Sequence, residues 1–119
     1  MKKILAIIAI FLLAGCTRGS FENVSSEKAK EMIDQGDVIV LDVRNLDEYN
    51  SGHIPESELL PLPEIEGMSE ELDKDKSYLV VCRSGNRSQQ AADILLEKGF
   101  KKIYNMTGGM NEWSYEIEN

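Results

Sequence analysis

Residues 78–88 read Tyr-Leu-Val-Val-Cys-Arg-Ser-Gly-Asn-Arg-Ser, and they carry the clearest structural pattern of the chain. An apolar, β-branched run ends at Cys82, a loop that contains Gly85 follows, and helix-forming residues come next. This order predicts a strand that passes into a helix through a tight loop, which is where open α/β sheets bind their ligands. We therefore expect Cys82 at the carboxyl edge of a parallel sheet.

The surroundings of Cys82 favour a reactive thiol over a structural one. Free cysteines are most often buried in a core, but core cysteines are rarely flanked by arginine, serine, glycine and asparagine. The helix that follows would direct free backbone N–H groups at the sulfur, and Arg83 and Arg87 would add positive charge. Both effects stabilise the thiolate, so Cys82 is predicted to be a nucleophile at neutral pH.

Other segments repeat the alternation of strands and helices. Residues 38–43 are almost continuously apolar and β-branched, as expected for a strand with both faces buried in a parallel sheet. Residues 102–106 predict a further strand and residues 58–62 a short one, with a loop and a helical turn at 63–72. Strands that alternate with helices predict an α/β fold with a parallel sheet.

Capping residues mark where the predicted helices begin. Ser25 or Ser26 can cap a first helix. Asn45, with Glu48 three residues later, is typical of a capping box at the start of a second helix. Residues 87–98 predict a third helix with an apolar inner side, between the cysteine loop and the last strand. A single folded domain is therefore expected over residues 21–119.

The amino-terminal segment has the composition of a targeting signal. Lys2 and Lys3 precede an apolar run at residues 4–14, which is shorter than the about 20 residues that span a bilayer. Such a run matches the hydrophobic region of a secretory signal peptide. Residues 13–16, Leu-Ala-Gly-Cys, resemble a bacterial lipobox, in which the cysteine is lipidated and becomes the new amino terminus.

This resemblance implies a lipoprotein signal peptide at residues 1–15, followed by a lipidated Cys16 and a short tether at residues 16–20. The mature protein would be extracytoplasmic and anchored to the bacterial cell membrane by the lipid on Cys16. The alternatives are an ordinary signal peptide that is cut nearby and an uncleaved anchor. The short apolar run weighs against the uncleaved anchor.

The chain is acidic, with 13 basic and 21 acidic side chains and a net charge of −8. Loss of the two leader lysines would change the net charge to −10. Such a charge argues against nucleic acid binding and against an electrostatic hold on anionic lipid, so the acyl chains must supply membrane attachment. If Cys16 is lipidated, Cys82 has no partner for an intramolecular disulfide. With one histidine and scattered carboxylates, we expect no metal site. We also expect a monomer without a cofactor.

Five motifs stand in a characteristic order along the chain. They are Leu41-Asp42-Val43-Arg44, Glu48-Tyr49, Gly52-His53-Ile54-Pro55, residues 81–88, and residues 105–110 with Trp113. In order and spacing they resemble the rhodanese family over residues 21–113. The resemblance implies a three-layer α/β domain with a central, mostly parallel sheet of about five short strands and helices on both faces. The family commonly has a glycine and a small residue after His-Ile-Pro, where this chain has Glu56 and Ser57.

The resemblance also implies a sulfurtransferase in which Cys82 is the catalytic residue. Its thiolate would take sulfane sulfur from a small donor such as thiosulfate as a persulfide, and pass it to a thiol or to cyanide. Loop N–H groups would surround the sulfur, with Gly85 and then Asn86 as candidates for positive φ. Arg83 and Arg87 would attract a dianionic donor. The implied substrate-binding residues are Arg83, Ser84, Gly85, Asn86, Arg87 and Ser88.

Three further polar residues near the site are interpreted as structural. Asp42 and Arg44 would form an ion-pair and hydrogen-bond network that orients the neighbouring loops, with Glu48 as the expected partner of Arg44. His53 is the only histidine, but the resemblance places it in a turn that ties loop to loop. A thiolate that its own loop already stabilises needs no general base.

Two other functions remain open alongside sulfur transfer. Cysteine-dependent phosphatases of this fold, and arsenate reductases, need a cradle for an oxyanion, and the phosphatases use a loop with five residues between cysteine and arginine. Here four residues separate Cys82 from Arg87, which fits a single sulfur atom better. The second alternative is a non-catalytic module at the membrane surface that carries persulfide or docks onto another exported protein.

Overall fold

Five short strands run in the same direction in one sheet, in the order β1-β5-β4-β2-β3. The computed structural model describes residues 19–119. The strands are β1 (Glu22–Val24), β2 (Ile39–Asp42), β3 (Glu58–Leu59), β4 (Ser77–Val81) and β5 (Lys102–Met106). The predicted α/β fold with a parallel sheet is confirmed.

Helices cover both faces of this sheet. They are α1 (Ser26–Asp34), α2 (Leu46–Ser51), α3 (Ile65–Met68) and α4 (Asn86–Glu97), with single 3-10 turns at Leu62–Glu64, Ser69–Glu71 and Gly109–Glu112. One buried apolar cluster joins Val80 and Cys82 to helices α3 and α4, and a second joins Leu79 and Val81 to helix α1. Because successive strand residues face opposite sides, β4 contributes to both clusters and is apolar throughout.

The helix starts predicted from capping residues are confirmed. The Ser25 side chain caps α1 by accepting from the N–H of Lys28 at 3.1 Å. Asn45 and Glu48 form both hydrogen bonds of a capping box at the start of α2. These caps fix where the chain leaves strands β1 and β2 and turns back along the sheet.

Two elements differ from the sequence-based expectation. Strand β1 was not predicted as a separate element, because Glu22 and Asn23 are polar and exposed on an edge strand, and three residues are too few to show a period. Strand β3 extends over Glu58–Leu59 instead of residues 58–62. The chain then leaves the sheet at Pro61, which has no N–H for a ladder, and makes three consecutive short helical turns.

Glu56 lies in a left-handed backbone conformation, with a φ of 66°. It is the non-glycine residue with positive φ in the described part of the chain. Glycine adopts this conformation at no steric cost, and glycine is what the family commonly has at this place. Two hydrogen bonds hold this turn with Glu56 in the left-handed conformation. The N–H of Ser57 donates to the Ile54 carbonyl at 3.0 Å, and the N–H of Glu56 donates to the Glu118 carboxylate at 3.3 Å.

A glycine turn after β5 supports the loop that follows β4. The N–H groups of Met110 and Asn111 donate to the carbonyls of Cys82 and Arg83 at 2.8 and 3.0 Å. Gly109 has a φ of 56°, and a Cβ there would collide with both carbonyls. Glycine is therefore required at this position both by its conformation and by the close approach of two backbone segments.

We expect Gly109→Ala to lower the free energy of unfolding by about 2–4 kcal/mol, because left-handed strain adds to a backbone clash. The matched control is Gly36→Ala, at a φ of 74° with nothing within 4 Å of the added Cβ. The control should cost about 1–2 kcal/mol from strain alone. Urea unfolding of both variants measures the difference, and equal losses would contradict the close packing of Gly109 against the loop.

Candidate active site

The sulfur of Cys82 lies at the carboxyl end of β4 and beneath the start of helix α4. The Cys82 residue is buried, with 1% exposure. The N–H of Gly85 donates to Sγ at 3.0 Å, and the Ser88 hydroxyl lies 3.3 Å from Sγ. Helix α4 begins at Asn86 without a side-chain cap. The N–H of Ser88, its third residue, interacts with the sulfur, where a capping oxygen usually accepts.

The loop geometry depends on one glycine. Gly85 has a φ of 100°, which turns its N–H toward the sulfur, as predicted. The expectation of positive φ at Asn86 is wrong, because Asn86 is already the first residue of helix α4. One left-handed residue is sufficient because the helix itself orients the next N–H groups.

Opposing effects determine the pKa of the Cys82 thiol. Burial is the largest contribution and raises the pKa, because it penalises the charged form. Hydrogen bonds from the Ser88 hydroxyl and from the N–H groups of Ser88, Gly85 and Ser84 lower it. Together the hydrogen bonds outweigh burial, and the pKa lies below its ordinary value. The loop therefore favours a thiolate, which is the nucleophilic form.

Glu48 contacts both arginines of the loop. Its two carboxylate oxygens accept from Nη1 and Nη2 of Arg87 at 2.8 and 2.9 Å. The Arg83 Nε lies 3.4 Å from Oε2 of the same carboxylate. The hydrogen bonds from Arg87 lower the pKa of Glu48 to about 2, against the opposing effect of partial burial. Glu48 also holds the capping box of α2, so it joins that helix to the cysteine loop.

This arrangement corrects one expectation and adds a residue to the site. Glu48 was expected to pair with Arg44, but its carboxylate binds Arg87 and Arg83 instead. Glu48 and Arg87 are 39 positions apart in the sequence, so no local pattern could reveal the pair. The only sign of this pair in the sequence was the presence of Glu48 in one of the five motifs. Its part in the capping box of α2 already accounted for a glutamate at that position.

Asp42 and Arg44 form a buried ion pair at the end of β2. Nη2 and Nε of Arg44 donate to the two Asp42 oxygens at 2.7 and 2.9 Å. Nη2 also donates to the Gly52 carbonyl at 2.8 Å. Arg44 therefore connects the end of the strand to the end of helix α2, which is the loop-orienting network that the sequence predicted.

His53 contacts helix α2 through its ring and the carboxyl-terminal segment through its backbone. Its ring stacks on the Tyr49 ring with centroids 3.7 Å apart, and its Nδ1 lies 2.8 Å from the Tyr49 carbonyl oxygen. Its backbone pairs with Glu118 through two hydrogen bonds, at 2.9 and 2.8 Å. These contacts favour the structural role over a general base.

Two surface cavities flank the Glu48–Arg87 pair. One has a volume of about 470 Å³, and the other has a volume of about 410 Å³. The first includes Asp47, Glu48, Arg83, Met110 and Trp113 in its lining. Cys82 is in the lining of neither cavity.

Residues 1–18, which include the predicted signal peptide, Cys16 and part of the predicted tether, lie outside the described residues. Between residues 19 and 119, no helix is both long and apolar enough to cross a membrane. In the same range, no group of three or more His, Cys, Asp or Glu side chains is placed to hold a metal ion. Cys82 is the free cysteine of this part of the chain.

Curated proteins with similar sequences include sulfurtransferases. The thiosulfate sulfurtransferase GlpE of Pseudoalteromonas translucida is 37% identical over 94 residues, which cover 79% of this chain and 90% of that protein. GlpE of Pseudomonas syringae is 40% identical over 93 residues, 78% of this chain and 87% of that protein. YrkF of Bacillus subtilis, named as a candidate sulfur carrier, is 36% identical over 100 residues, 83% of this chain. This chain spans about half of YrkF, or 54% of its length.

Solved structures and a family model agree with these relatives. A rhodanese-related protein from Thermoplasma volcanium is 31% identical with a TM-score of 0.76, and the match covers 82% of this chain and 98% of that one. A rhodanese-like domain protein from Staphylococcus aureus is 28% identical with a TM-score of 0.74, over 82% and 97% of the two chains. The model of the rhodanese-like domain matches residues 25–116. The chain therefore belongs to the rhodanese family, as its motifs predicted.

Proposed function

We propose that this protein transfers sulfane sulfur from thiosulfate or a related donor to a thiol or cyanide, through a persulfide on Cys82. The observation that carries the proposal is the sulfur of Cys82 held by the Gly85 N–H and the Ser88 hydroxyl at the start of helix α4. A persulfide needs an anionic sulfur at each stage, and these donors stabilise anions.

The reaction balances without an oxidant or a reductant. The Cys82 thiolate attacks the outer sulfur of thiosulfate, a new S–S bond forms, and the donor S–S bond breaks as its electron pair leaves with sulfite. A thiolate or cyanide then attacks the terminal sulfur of the persulfide. The bond to Cys82 breaks, its electron pair returns to Cys82 as the thiolate, and the product is an acceptor persulfide or thiocyanate. Two half-reactions through a covalent intermediate give ping-pong kinetics.

The Glu48–Arg87 pair supports sulfur chemistry over phosphate chemistry. A phosphatase of this fold needs its loop arginine to clamp the phosphate oxygens with a fork of two N–H donors. In this chain both forked donors of Arg87 are bound to Glu48. The short loop of four residues between Cys82 and Arg87 also leaves less room for a tetrahedral oxyanion.

A persulfide carrier is the second candidate function. The 36% identity to the candidate sulfur carrier YrkF favours it, whereas the 36–40% identities to GlpE proteins favour thiosulfate sulfurtransferase activity. The two candidates share the persulfide and differ in turnover. A catalyst must release sulfur to a small acceptor repeatedly, while a carrier releases it to a specific partner.

We also propose that the domain works outside the cytoplasm, held to the membrane by a lipid on Cys16. The lipobox-like sequence at residues 13–16 supports this location. The acidic charge of the chain would repel anionic headgroups, so acyl chains would be the anchor.

Cys82→Ser is expected to abolish persulfide formation and leave folding intact, because a hydroxyl fits in the space of the thiol but cannot hold sulfane sulfur. Mass spectrometry after incubation with thiosulfate should show one added sulfur atom on the unchanged protein and none on the variant. Sulfur bound by the variant would exclude Cys82 as the acceptor. Repeated thiocyanate formation with cyanide would identify a catalyst, and a single loading event would identify a carrier.

Ser88→Ala is expected to raise the pKa of Cys82, because it removes a hydrogen bond to the thiolate. The reactive form is present above the pKa and is lost below it, so the pH profile of alkylation by iodoacetamide should move to higher pH. Sulfur transfer should slow about ten- to a hundredfold if the full 1.5–3 kcal/mol of a charge-assisted hydrogen bond is lost. The control is Ser84→Ala, which removes an exposed hydroxyl and keeps the backbone N–H. Identical pH midpoints in the two variants would contradict this role for Ser88.

Cys16→Ala should block lipidation and cleavage, so that the chain keeps residues 1–15. Mass spectrometry of the membrane fraction from a bacterial host checks this, with Cys82→Ala as the control that leaves processing unchanged. Recovery of a normally cleaved, membrane-held protein from Cys16→Ala would rule out the lipoprotein signal.

A further inference from the structure

The two cations of the cysteine loop share one counterion. Glu48 binds Arg87 through both oxygens at 2.8 and 2.9 Å, and one of these oxygens also lies 3.4 Å from Arg83. The exposed fractions of the side chains differ, with 15% for Glu48, 34% for Arg87 and 65% for Arg83. Arg87 is therefore held in place, and Arg83 is the cation that an incoming anion meets first.

We propose that Glu48 is a specificity-determining residue, which limits the preference of the active site for doubly charged sulfur donors. This inference rests on the proposed sulfur transfer at Cys82. It names a role for a side chain that touches no reacting atom in the resting protein.

The charges around the sulfur cancel when Glu48 is ionised. The Arg83 and Arg87 guanidinium groups both contact the Glu48 carboxylate, and Arg87 also interacts electrostatically with Cys82. The charges of these four groups sum to zero when Cys82 is a thiolate. Without the Glu48 carboxylate the same site would be cationic. An anion with two charges gains more from that extra cation than an anion with one charge, since the interaction energy is proportional to the charge.

The position of Glu48 makes its charge a fixed property of the site. The carboxylate accepts from the Asn45 N–H at 3.2 Å while it binds Arg87, and the Glu48 N–H donates to Asn45 Oδ1 at 2.8 Å. Side chain and backbone are thus both held at the start of helix α2. The pKa of about 2 keeps the carboxylate ionised throughout the pH range in which the thiolate reacts.

The test compares two donors that deliver the same sulfur with different charge. Thiosulfate carries two negative charges, and an aryl thiosulfonate carries one and releases a sulfinate. The quantity measured is the ratio of kcat/KM for thiosulfate to kcat/KM for the thiosulfonate, at low ionic strength on the purified full chain. Overall rate then cancels, so a merely structural loss leaves the ratio unchanged.

Glu48→Gln is expected to raise this ratio about three- to tenfold, because one negative charge is lost beside both arginines. Arg83→Gln should lower the ratio by a similar factor. Glu48→Asp keeps the charge but shortens the reach to Arg87, so it should reduce both rates and leave the ratio within about twofold. The control Asp47→Asn removes an exposed charge from the same helix and cavity, and should also leave the ratio within about twofold.

A second readout does not depend on sulfur transfer. Cys82 is alkylated by iodoacetate, an anion, and by iodoacetamide, which is neutral, and the ratio of the two rates reports the local charge. Glu48→Gln should raise this ratio and Arg83→Gln should lower it. If the unchanged protein takes sulfur from neither donor, the proposed function fails while the alkylation ratio still decides the role of Glu48.

The proposal is overturned if Glu48→Gln leaves both ratios unchanged, or if Asp47→Asn changes them as much. The first result would make Glu48 a purely structural tie, and the second would make net charge of the surface the cause. Thermal unfolding of all four variants checks that the compared proteins are folded. Arg83→Gln changes an exposed side chain and should lower the two ratios that Glu48→Gln raises.

Discussion

The active-site loop depends on a sulfur atom that takes the place of a helix cap. Helix α4 starts without a capping side chain, and the Gly85 N–H points at Cys82 Sγ. Strand β4 brings the sulfur there, the left-handed Gly85 turns the chain under the helix, and the glycine turn at Gly109 holds the loop from the other side. The same backbone N–H groups therefore serve the fold and the reactivity. At the start of the helix they lack a carbonyl partner, and they stabilise a thiolate at Cys82.

Hydrogen bonds from uncharged groups stabilise the thiolate of Cys82. The pKa of Cys82 is lowered by one hydroxyl and three N–H groups against the opposing effect of burial. The Arg87 guanidinium is largely neutralised by Glu48. Buried dipoles are screened by salt less than exposed ions, so we expect the thiolate to depend less on ionic strength than the proposed recognition of an anionic donor.

Sequence reasoning succeeded where the determinants are local. The strand, loop and helix around Cys82 and the capping box of Asn45 and Glu48 follow from neighbouring residues, and both are found where predicted. It failed at Asn86, where the helix began earlier than its composition indicated. It also missed the Glu48–Arg87 pair, because contacts between distant segments depend on how two loops meet at the sheet edge. The polar edge strand β1 gave no apolar pattern to detect.

The parallel sheet gives the domain a direction. Strand β1 starts at Glu22, at the amino-terminal end of the parallel strands. Cys82 follows β4 at their carboxyl-terminal end. A lipid on Cys16, as we propose, would hold the amino-terminal end of the strands near the bilayer through a few residues of tether. Cys82 would then face away from the lipid and toward the surrounding compartment. Water-soluble donors and acceptors could reach it without partitioning into the membrane surface.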